Sequence, residues 1–240
     1  MSIETAAAEA AAQIASWFDD LFGELDVLSS RISTMMIEEK GPRERFVEAD
    51  LKRVKSITRG FLAKHRFVEA AGVILAPGTI EDHRGTIEWW RNDDEGADGK
   101  VIFNLAPGAG SFYDFQNLSW FDNAVRTGAR AITGPHVDFG GLDQYIMTLT
   151  AALQLGDGTV GMVGCDAEVR DIEAVIVPIL RRIPGDAALI NADKRVVLGN
   201  SGRFLVGNRV RSSPQHGGFV PVESPSLGLS VVYAEHASYN

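Results

Sequence analysis

The 240-residue sequence has a single cysteine, Cys165, and no long hydrophobic run. One thiol cannot form an internal disulfide or a multi-thiolate metal site. A membrane-spanning helix needs about 18 consecutive apolar residues, so the sequence predicts no membrane insertion. Residues 1–12 contain Glu4 and Glu9 but no basic residue, whereas a secretory signal begins with a basic segment. The expected location is therefore cytoplasmic for the sequence as it stands, and extracytoplasmic if a signal or an anchor has been trimmed from it.

Basic residues are also scarce. The chain has 23 Lys and Arg against 32 Asp and Glu, which gives a net charge of −9 at pH 7. Proteins that bind nucleic acids need clustered Lys and Arg to replace counterions. In the most basic stretch, residues 43–66, the basic side chains are mixed with acidic ones, which is typical of a solvated helix face. We therefore expect no nucleic-acid partner.

The sequence lacks motifs for catalysis and for metal binding as well. It has no G-x-S-x-G nucleophile elbow, and its Gly-rich segment 108–111 lacks the Lys-Ser/Thr ending of a phosphate loop. His83, His136 and His216 do not have the spacing of metal ligands. We expect neither an enzyme nor a bound cofactor or metal.

The first 40 residues carry apolar side chains at alternating spacings of four and three, the pattern of a long helix with a heptad seam. Gly41 and Pro42 end this helix, and a second helical run follows with an apolar face at residues 47–61. We expect residues 1–66 to form a helical extension, either an antiparallel hairpin or the seam of a homodimer. A third alternative, in which the stripe packs on its own domain, stays open. The stripe consists of Ile14, Phe18, Leu21, Leu25, Leu28, Ile32 and Met35.

From residue 67 onward the pattern changes to short strands. Strands linked by hairpins, with helices set on one side, indicate an α+β domain with an antiparallel sheet, which we place at residues 67–240. One strand carries the adjacent residues Trp89 and Trp90, whose side chains must point to opposite faces. The predicted strands are 71–76, 86–91, 101–105, 145–155, 159–165, 187–191, 195–198 and 229–234, the predicted helices are 113–126 and 169–183, and 203–226 is predicted as a loop-rich insertion.

Several of these elements, taken in order, resemble a known family. A helix with the aromatic pair Trp120-Phe121 is followed by the segment 134–138, which reads GPHVD, and then by a strand pair whose second member, 160–166, reads VGMVGCD. The order resembles that of Cache domains, the PAS-like ligand-binding domains of chemoreceptors and sensor kinases, over about residues 71–200. The resemblance implies a PAS-like antiparallel sheet flanked by helices, and a sensor that signals through a partner.

A finer similarity is to the amino-acid-binding subset of that family. Tyr113 stands seven residues before Trp120, and His136 stands sixteen residues after Trp120. Asp138 follows two residues after His136, and Asp166 follows twenty-eight residues after Asp138. The resemblance implies that the two aspartates hold the ammonium group of a ligand. Carboxylates offset the charge of such a group, and aromatic faces add a cation–π attraction of about 0.5–2 kcal/mol.

The sequence departs from that subset at two positions. Leu118 stands where the subset has an arginine for the ligand carboxylate, and Asn123 replaces an acid. The resemblance then implies either an amine, or an amino acid whose carboxylate is met by Arg91, Arg126 or Arg130.

The resulting hypothesis is a small-molecule-binding sensor domain for an amine or an amino-acid-like metabolite. A structural or dimerisation domain without a ligand is the alternative, and an enzyme of unknown class is the third. Three of the candidate residues also have a purely structural interpretation. Asp166 could cap the next helix, Asp138 could be a turn residue, and Trp120 could belong to the core. The predicted ligand-binding residues are Trp89, Arg91, Tyr113, Trp120, His136, Asp138, Tyr145 and Asp166.

Overall fold

The computed structural model describes residues 1–81, 85–92, 99–106, 108, 110, 112–139, 142–156, 158–224 and 227–236. The chain divides into two compact units, one formed by Phe22–Val169 and the other by Met1–Leu21 with Arg170–Asn240. The expected boundary at residue 66 does not coincide with this division, and a separate role for residues 1–66 in dimerisation stays a prediction.

The unit Phe22–Val169 is built on a five-stranded sheet. Its strands are β1 (Val68–Leu75), β2 (Thr86–Arg91), β3 (Ala131–Val137), β4 (Tyr145–Leu155) and β5 (Gly158–Glu168), and its helices are the later part of α1 (Ile3–Lys40), then α2 (Val54–Lys64) and α3 (Ser119–Thr127). The strand order is β2-β1-β5-β4-β3, and all neighbours are antiparallel. The α+β class expected from the sequence is confirmed.

The unit formed by Met1–Leu21 and Arg170–Asn240 has a smaller antiparallel sheet. Its elements are α4 (Val169–Leu180), β6 (Asp186–Ile190), β7 (Val196–Gly199), β8 (Gly217–Pro221) and β9 (Ser230–Ala234), with strand order β7-β6-β9-β8. The Asn200 side chain stabilises the start of β6, because its amide donates to the carbonyls of Leu180 and Gly185 while its oxygen accepts from the Ala187 N–H. These bonds satisfy backbone groups at the end of α4.

Helix α1 follows the apolar periodicity of its sequence. It ends at Lys40, and Gly41 follows with a φ of 56°, as the Gly-Pro pair predicted. The whole heptad stripe is buried within the single chain, and no member is more than 4% exposed. The stripe therefore packs on its own chain, which was one of the three alternatives. Homodimerisation through these helices stays a prediction.

Glycines allow close approach of strands at the centre of the larger sheet. Gly72 on β1 lies between Trp89 of β2 and Gly164 of β5 in the register. A Cβ atom on Gly72 would lie 2.0 Å from the Glu88 carbonyl oxygen, far inside van der Waals contact. This row of small residues leaves room on one face of the sheet for a large side chain from the neighbouring strand.

Some predicted elements are wrong in kind or extent. Residues 101–105 form no strand; the Val101 N–H donates to the Trp89 carbonyl beside an isolated bridge of Trp90 with Lys100. The helix predicted at 113–126 is instead a 3-10 turn, Phe115–Asn117, followed by α3. The segment 203–226 contains strand β8, and 131–137 is a strand. Asp157, in the predicted hairpin turn, lies outside the described residues. Among the helices in the described ranges, none combines the length and the apolar character needed to cross a bilayer.

Two glycine substitutions test the packing of the larger sheet. Gly72→Ala should lower the free energy of unfolding by about 2 kcal/mol or more, since its Cβ would overlap backbone atoms of β2. Gly60→Ala is the matched control: Gly60 lies in α2 with nothing within 4 Å of a Cβ, so this change should stabilise by about 0.5–1 kcal/mol. Thermal unfolding followed by circular dichroism measures both. A Gly72→Ala midpoint equal to the wild-type value would contradict this account of the β1–β2 contact.

Candidate functional site

One face of the larger sheet forms the floor of a small enclosed cleft, which we call the inner chamber. Every residue that lines it belongs to the unit Phe22–Val169. Four strands, α3 and the segments that follow β2 and β3 each contribute to its wall. The lining residues are Ile74, Trp89, Phe103, Tyr113, Trp120, Asp138, Thr148, Met162 and Asp166.

Asp166 is the buried acid of the inner chamber. It is 5% exposed, and its two carboxylate oxygens accept one hydrogen bond each: Oδ1 from the Thr148 hydroxyl at 2.7 Å and Oδ2 from the Trp89 indole N–H at 2.9 Å. Both donors are side chains of the sheet, and Asp166 lies inside β5, ahead of α4. These bonds, rather than a helix cap, account for its position.

The electrostatic balance at Asp166 shifts the group toward the protonated acid, relative to an exposed aspartate. Burial raises its pKa from an ordinary 3.8 to about 7. The hydrogen bond from Thr148 lowers the pKa, the negative charge of Asp138 raises it, and the bond from Trp89 lowers it. Near neutral pH both the protonated and the ionised form of Asp166 are therefore accessible, and a nearby cation would favour the carboxylate.

The position of Trp89 follows from its strand and from the glycines beside it. In the register, Trp89 lies across from Gly72, and Gly72 lies across from Gly164. A Cβ on Gly164 would lie 3.3 Å from Cη2 of Trp89 and 2.6 Å from the Leu149 carbonyl oxygen. The indole ring therefore extends over two residues without side chains and reaches Asp166 two residues along β5.

Asp138 is the second acid and combines two roles. Its Oδ2 accepts from the Leu142 N–H at 2.8 Å, which fixes the turn after β3, while its Oδ1 accepts from the Tyr113 hydroxyl at 3.3 Å. The turn role and the chamber role thus coexist. Burial and the neighbouring carboxylates raise the pKa of Tyr113, so the phenol keeps its proton.

A larger and more open pocket, the outer chamber, adjoins the inner one. The two share Tyr113, Trp120 and Asp138. The free volume is about 20 Å³ in the inner chamber and about 440 Å³ in the outer one. The inner space therefore holds only about one water-sized group. The outer chamber is lined by Phe112, Tyr113, Asp114, Leu118, Ser119, Trp120, Thr133, Gly134, His136, Val137, Asp138 and Phe139.

Six of the eight predicted site residues come together in these chambers. Trp89, Tyr113, Trp120, Asp138 and Asp166 line the inner chamber, and His136 lines the outer one. Burial lowers the pKa of His136, against the opposing effect of Asp138.

Arg91 and Tyr145 do not line either chamber. Arg91 forms an ion pair with Glu69 at 3.0 Å. Tyr145 is 44% exposed and lies three residues before Thr148 on β4, which places it on the opposite face of the strand.

Sequence reasoning missed the apolar part of the lining. Phe103 packs on Tyr113 with ring centroids 4.6 Å apart, and the Tyr113 N–H donates to the Asn104 carbonyl. The sequence assigned this segment to a strand, so its covering role was not expected. The sequence alone leaves open whether Thr148 faces the pocket or the solvent. In the structure it lies directly across from Asp166 in the register and lines the inner chamber.

Other chemistry has little support among the described residues. Cys165 is completely buried, and burial followed by the charge of Asp166 raises the pKa of its thiol well above the ordinary value. Within the described ranges, no group of three or more His, Cys, Asp or Glu side chains is placed to hold a metal ion. The chambers instead combine acids with aromatic faces, a combination that suits a small organic cation.

Comparisons with known proteins identify the fold. No protein-family model matches the sequence, and no curated protein matches it. The chain is similar in structure to the ligand-binding domain of the Pseudomonas fluorescens chemoreceptor CtaA in complex with L-valine. The TM-score is 0.64 at 18% identity, over 98% of this chain and 95% of that one.

Two further solved structures are similar. The sensory domain of the Campylobacter jejuni chemoreceptor Tlp3 with isoleucine bound gives a TM-score of 0.65 at 13% identity, over 98% of this chain and 92% of that one. The ligand-binding domain of the Pseudomonas aeruginosa amino-acid chemoreceptor PctC in complex with GABA gives a TM-score of 0.57 at 16% identity, over 93% of this chain and 94% of that one. The fold is thus that of chemoreceptor sensor domains.

The buried acid gives the protein a specific pH dependence. Between pH 3.8 and about 7 the folded state holds a proton on Asp166 that the unfolded chain releases, so this group lowers stability as pH rises through that window. Asp166→Asn cannot ionise. The wild type should therefore lose stability relative to this variant between pH 4 and pH 7, by at most about 4 kcal/mol.

The measurement is a series of urea unfolding curves for both proteins from pH 4 to pH 8. Asp20→Asn, at an exposed position of α1, is the control for the loss of one negative charge and should follow the wild-type curve. A constant difference between wild type and Asp166→Asn across the whole range would show that the carboxyl is not protonated in the folded state.

Proposed function

We propose that this chain is a Cache-type sensor domain that binds a small amine or amino-acid-like metabolite and signals through a partner, without catalysing a reaction. The observation that supports this most directly is the Asp166 carboxyl, buried in an aromatic chamber beside a second acid and a larger pocket. An acid in such a place is costly unless something compensates its charge. A bound ammonium group would do so.

The donors and acceptors of the inner chamber match an ammonium group. Such a group donates three hydrogen bonds. Each oxygen of Asp166 accepts one bond in the ligand-free protein and has a further lone pair, and Asp138 Oδ1 and the Tyr113 hydroxyl stand close to each other. The rings of Trp89, Trp120 and Tyr113 add faces for cation–π contacts.

The structural relatives are consistent with this chemistry. Valine, isoleucine and GABA, the ligands named for the three similar domains, each carry an amino group. The chambers lie against one face of the larger sheet and combine apolar and aromatic walls with a few convergent polar groups, which is the usual composition of a small-molecule site.

The alternative functions have less support. The structural or dimerisation hypothesis rested partly on the heptad stripe, and that stripe is accounted for within the chain. An enzyme would need a nucleophile or base in a productive arrangement, and the thiol of Cys165 is buried with a raised pKa. The proposal includes an extracytoplasmic location, which is consistent with the similar domains being parts of chemoreceptors. A homodimer through the helices of residues 1–66 remains a prediction.

A thermal-shift screen tests the proposal. Purified protein is heated with amines, amino acids and, as controls, carboxylates without an amino group. A ligand at a hundred times its Kd raises the free energy of unfolding by about 2.7 kcal/mol. We expect shifts with compounds that carry an ammonium group and none with the carboxylate controls. The absence of any shift across the amine and amino-acid panel would contradict the proposal.

Two tyrosine variants locate the site. Tyr113→Phe removes the hydroxyl beside Asp138 and should weaken binding of the identified ligand about tenfold, since a hydrogen bond to a charged group contributes about 1.5–3 kcal/mol. Tyr145→Phe removes the same group on the opposite face of β4 and should leave the affinity unchanged. Isothermal titration calorimetry measures both. Equal affinities for the two variants would place the ligand elsewhere.

A further inference from the structure

The structure also bears on whether the ligand of this site carries a carboxylate in addition to its amino group. We propose that the ligand is a primary amine with an apolar body and without a carboxylate, with its ammonium group in the inner chamber and its apolar body in the outer one. This inference rests on the proposed function and narrows it.

The first observation is that the described lining contains no cation. None of the residues around either chamber is a lysine or an arginine, and burial lowers the pKa of His136, which favours its neutral form. The acids Asp138 and Asp166 face the inner chamber, and Asp114 lies at the rim of the outer one. A ligand carboxylate would meet acids and no opposite charge.

The arginines that could have met a carboxylate have other partners. Arg91 pairs with Glu69 at 3.0 Å, Arg126 pairs with Asp122 at 3.1 Å, and Arg130 pairs with Asp26. None of the three lines a chamber. Of all Lys and Arg residues in the sequence, Arg84 alone lies outside the described ranges.

The second observation is the apolar character of the outer chamber. Phe112, Leu118, Val137 and Phe139 line it and are 36%, 36%, 40% and 78% exposed. Large apolar side chains grouped around the mouth of a pocket indicate a contact surface for something apolar. Burial of each CH₂ group of a ligand there contributes about 0.8 kcal/mol.

The sizes of the two chambers set the orientation of the ligand. The inner chamber, with about 20 Å³ of free volume, has room for an ammonium-sized group and little else. The outer chamber, with about 440 Å³, has room for the rest of a small metabolite. Tyr113, Trp120 and Asp138 line both chambers, so the two chambers adjoin at these side chains. On the proposal, the ligand passes between them with its head at Asp166 and its apolar body in the outer chamber.

Isothermal titration calorimetry at pH 7 with the full chain tests the inference. The probes are 3-methylbutylamine, L-leucine and L-leucinamide, which share the same branched body, together with ethylamine, which lacks it. We expect 3-methylbutylamine and L-leucinamide to bind, and L-leucine to bind at least about tenfold more weakly, because its carboxylate would be desolvated without a partner. Ethylamine should also bind at least about tenfold more weakly, because it buries three fewer carbon atoms.

A single substitution should reverse the selectivity. Leu118 lines the outer chamber and is partly exposed, so an arginine there supplies the missing cation without disturbing the core. In Leu118→Arg, the ratio of the L-leucine affinity to the 3-methylbutylamine affinity should rise at least about tenfold. Leu118→Gln, of similar length and without charge, should leave the ratio unchanged. Far-UV circular dichroism and thermal midpoints check that both variants are folded.

The outcomes separate this inference from the proposed function. L-leucine binding as tightly as 3-methylbutylamine, with the affinity lost in Asp166→Asn, would overturn the inference and leave the proposed function intact. An unchanged affinity ratio in Leu118→Arg would likewise contradict the view that a missing cation sets the selectivity. No binding by any of the four probes would overturn the inference, whereas the proposed function is decided separately by the full amine and amino-acid panel of the thermal-shift screen.

Discussion

An acid buried in the middle of a sheet can be kept only if its oxygens find donors, and the arrangement around Asp166 is organised by that requirement. Thr148 on one neighbouring strand donates to one oxygen, and the indole of Trp89, two strands away, donates to the other. Both donors are themselves buried. The bonds stabilise the ionised form, burial opposes them, and the result is a group balanced between its two protonation states.

The reach of Trp89 depends on the strand between it and Asp166. An indole can extend across β1 because Gly72 and Gly164 leave the floor flat. Larger side chains there would separate the strands or displace the ring, and Asp166 would lose a donor. Gly164 of the pattern VGMVGCD, together with Gly72 on β1, thus allows Trp89 to reach the acid two residues later on β5. The close packing of β2, β1 and β5 is therefore also what gives Asp166 its hydrogen bond from Trp89.

The sequence predicted the elements that follow local rules. Short runs of apolar, aromatic and β-branched residues placed β2 and β4 at the residues found, and the heptad stripe predicted α1. The two aspartates, Tyr113 and Trp120, which the resemblance singled out, line one chamber. The segment 101–105 is a short, mostly apolar run, as in a strand, but Phe103 lines the inner chamber instead, because tertiary contacts outweigh a weak local preference. Arg91 and Tyr145 are off the chambers for reasons that no local pattern contains: an ion pair with Glu69, and the face of β4 on which residue 145 lies.

The near-neutral pKa of Asp166 gives the chamber two competing occupants. The same oxygens can hold a proton or, on the proposed function, accept hydrogen bonds from an ammonium group, and the proton weakens that second interaction. Binding at mildly acidic pH then carries the free energy of removing a proton, whereas binding at alkaline pH does not. On the proposed function, the fraction of the domain that is occupied would therefore depend on the amine concentration and on the pH together.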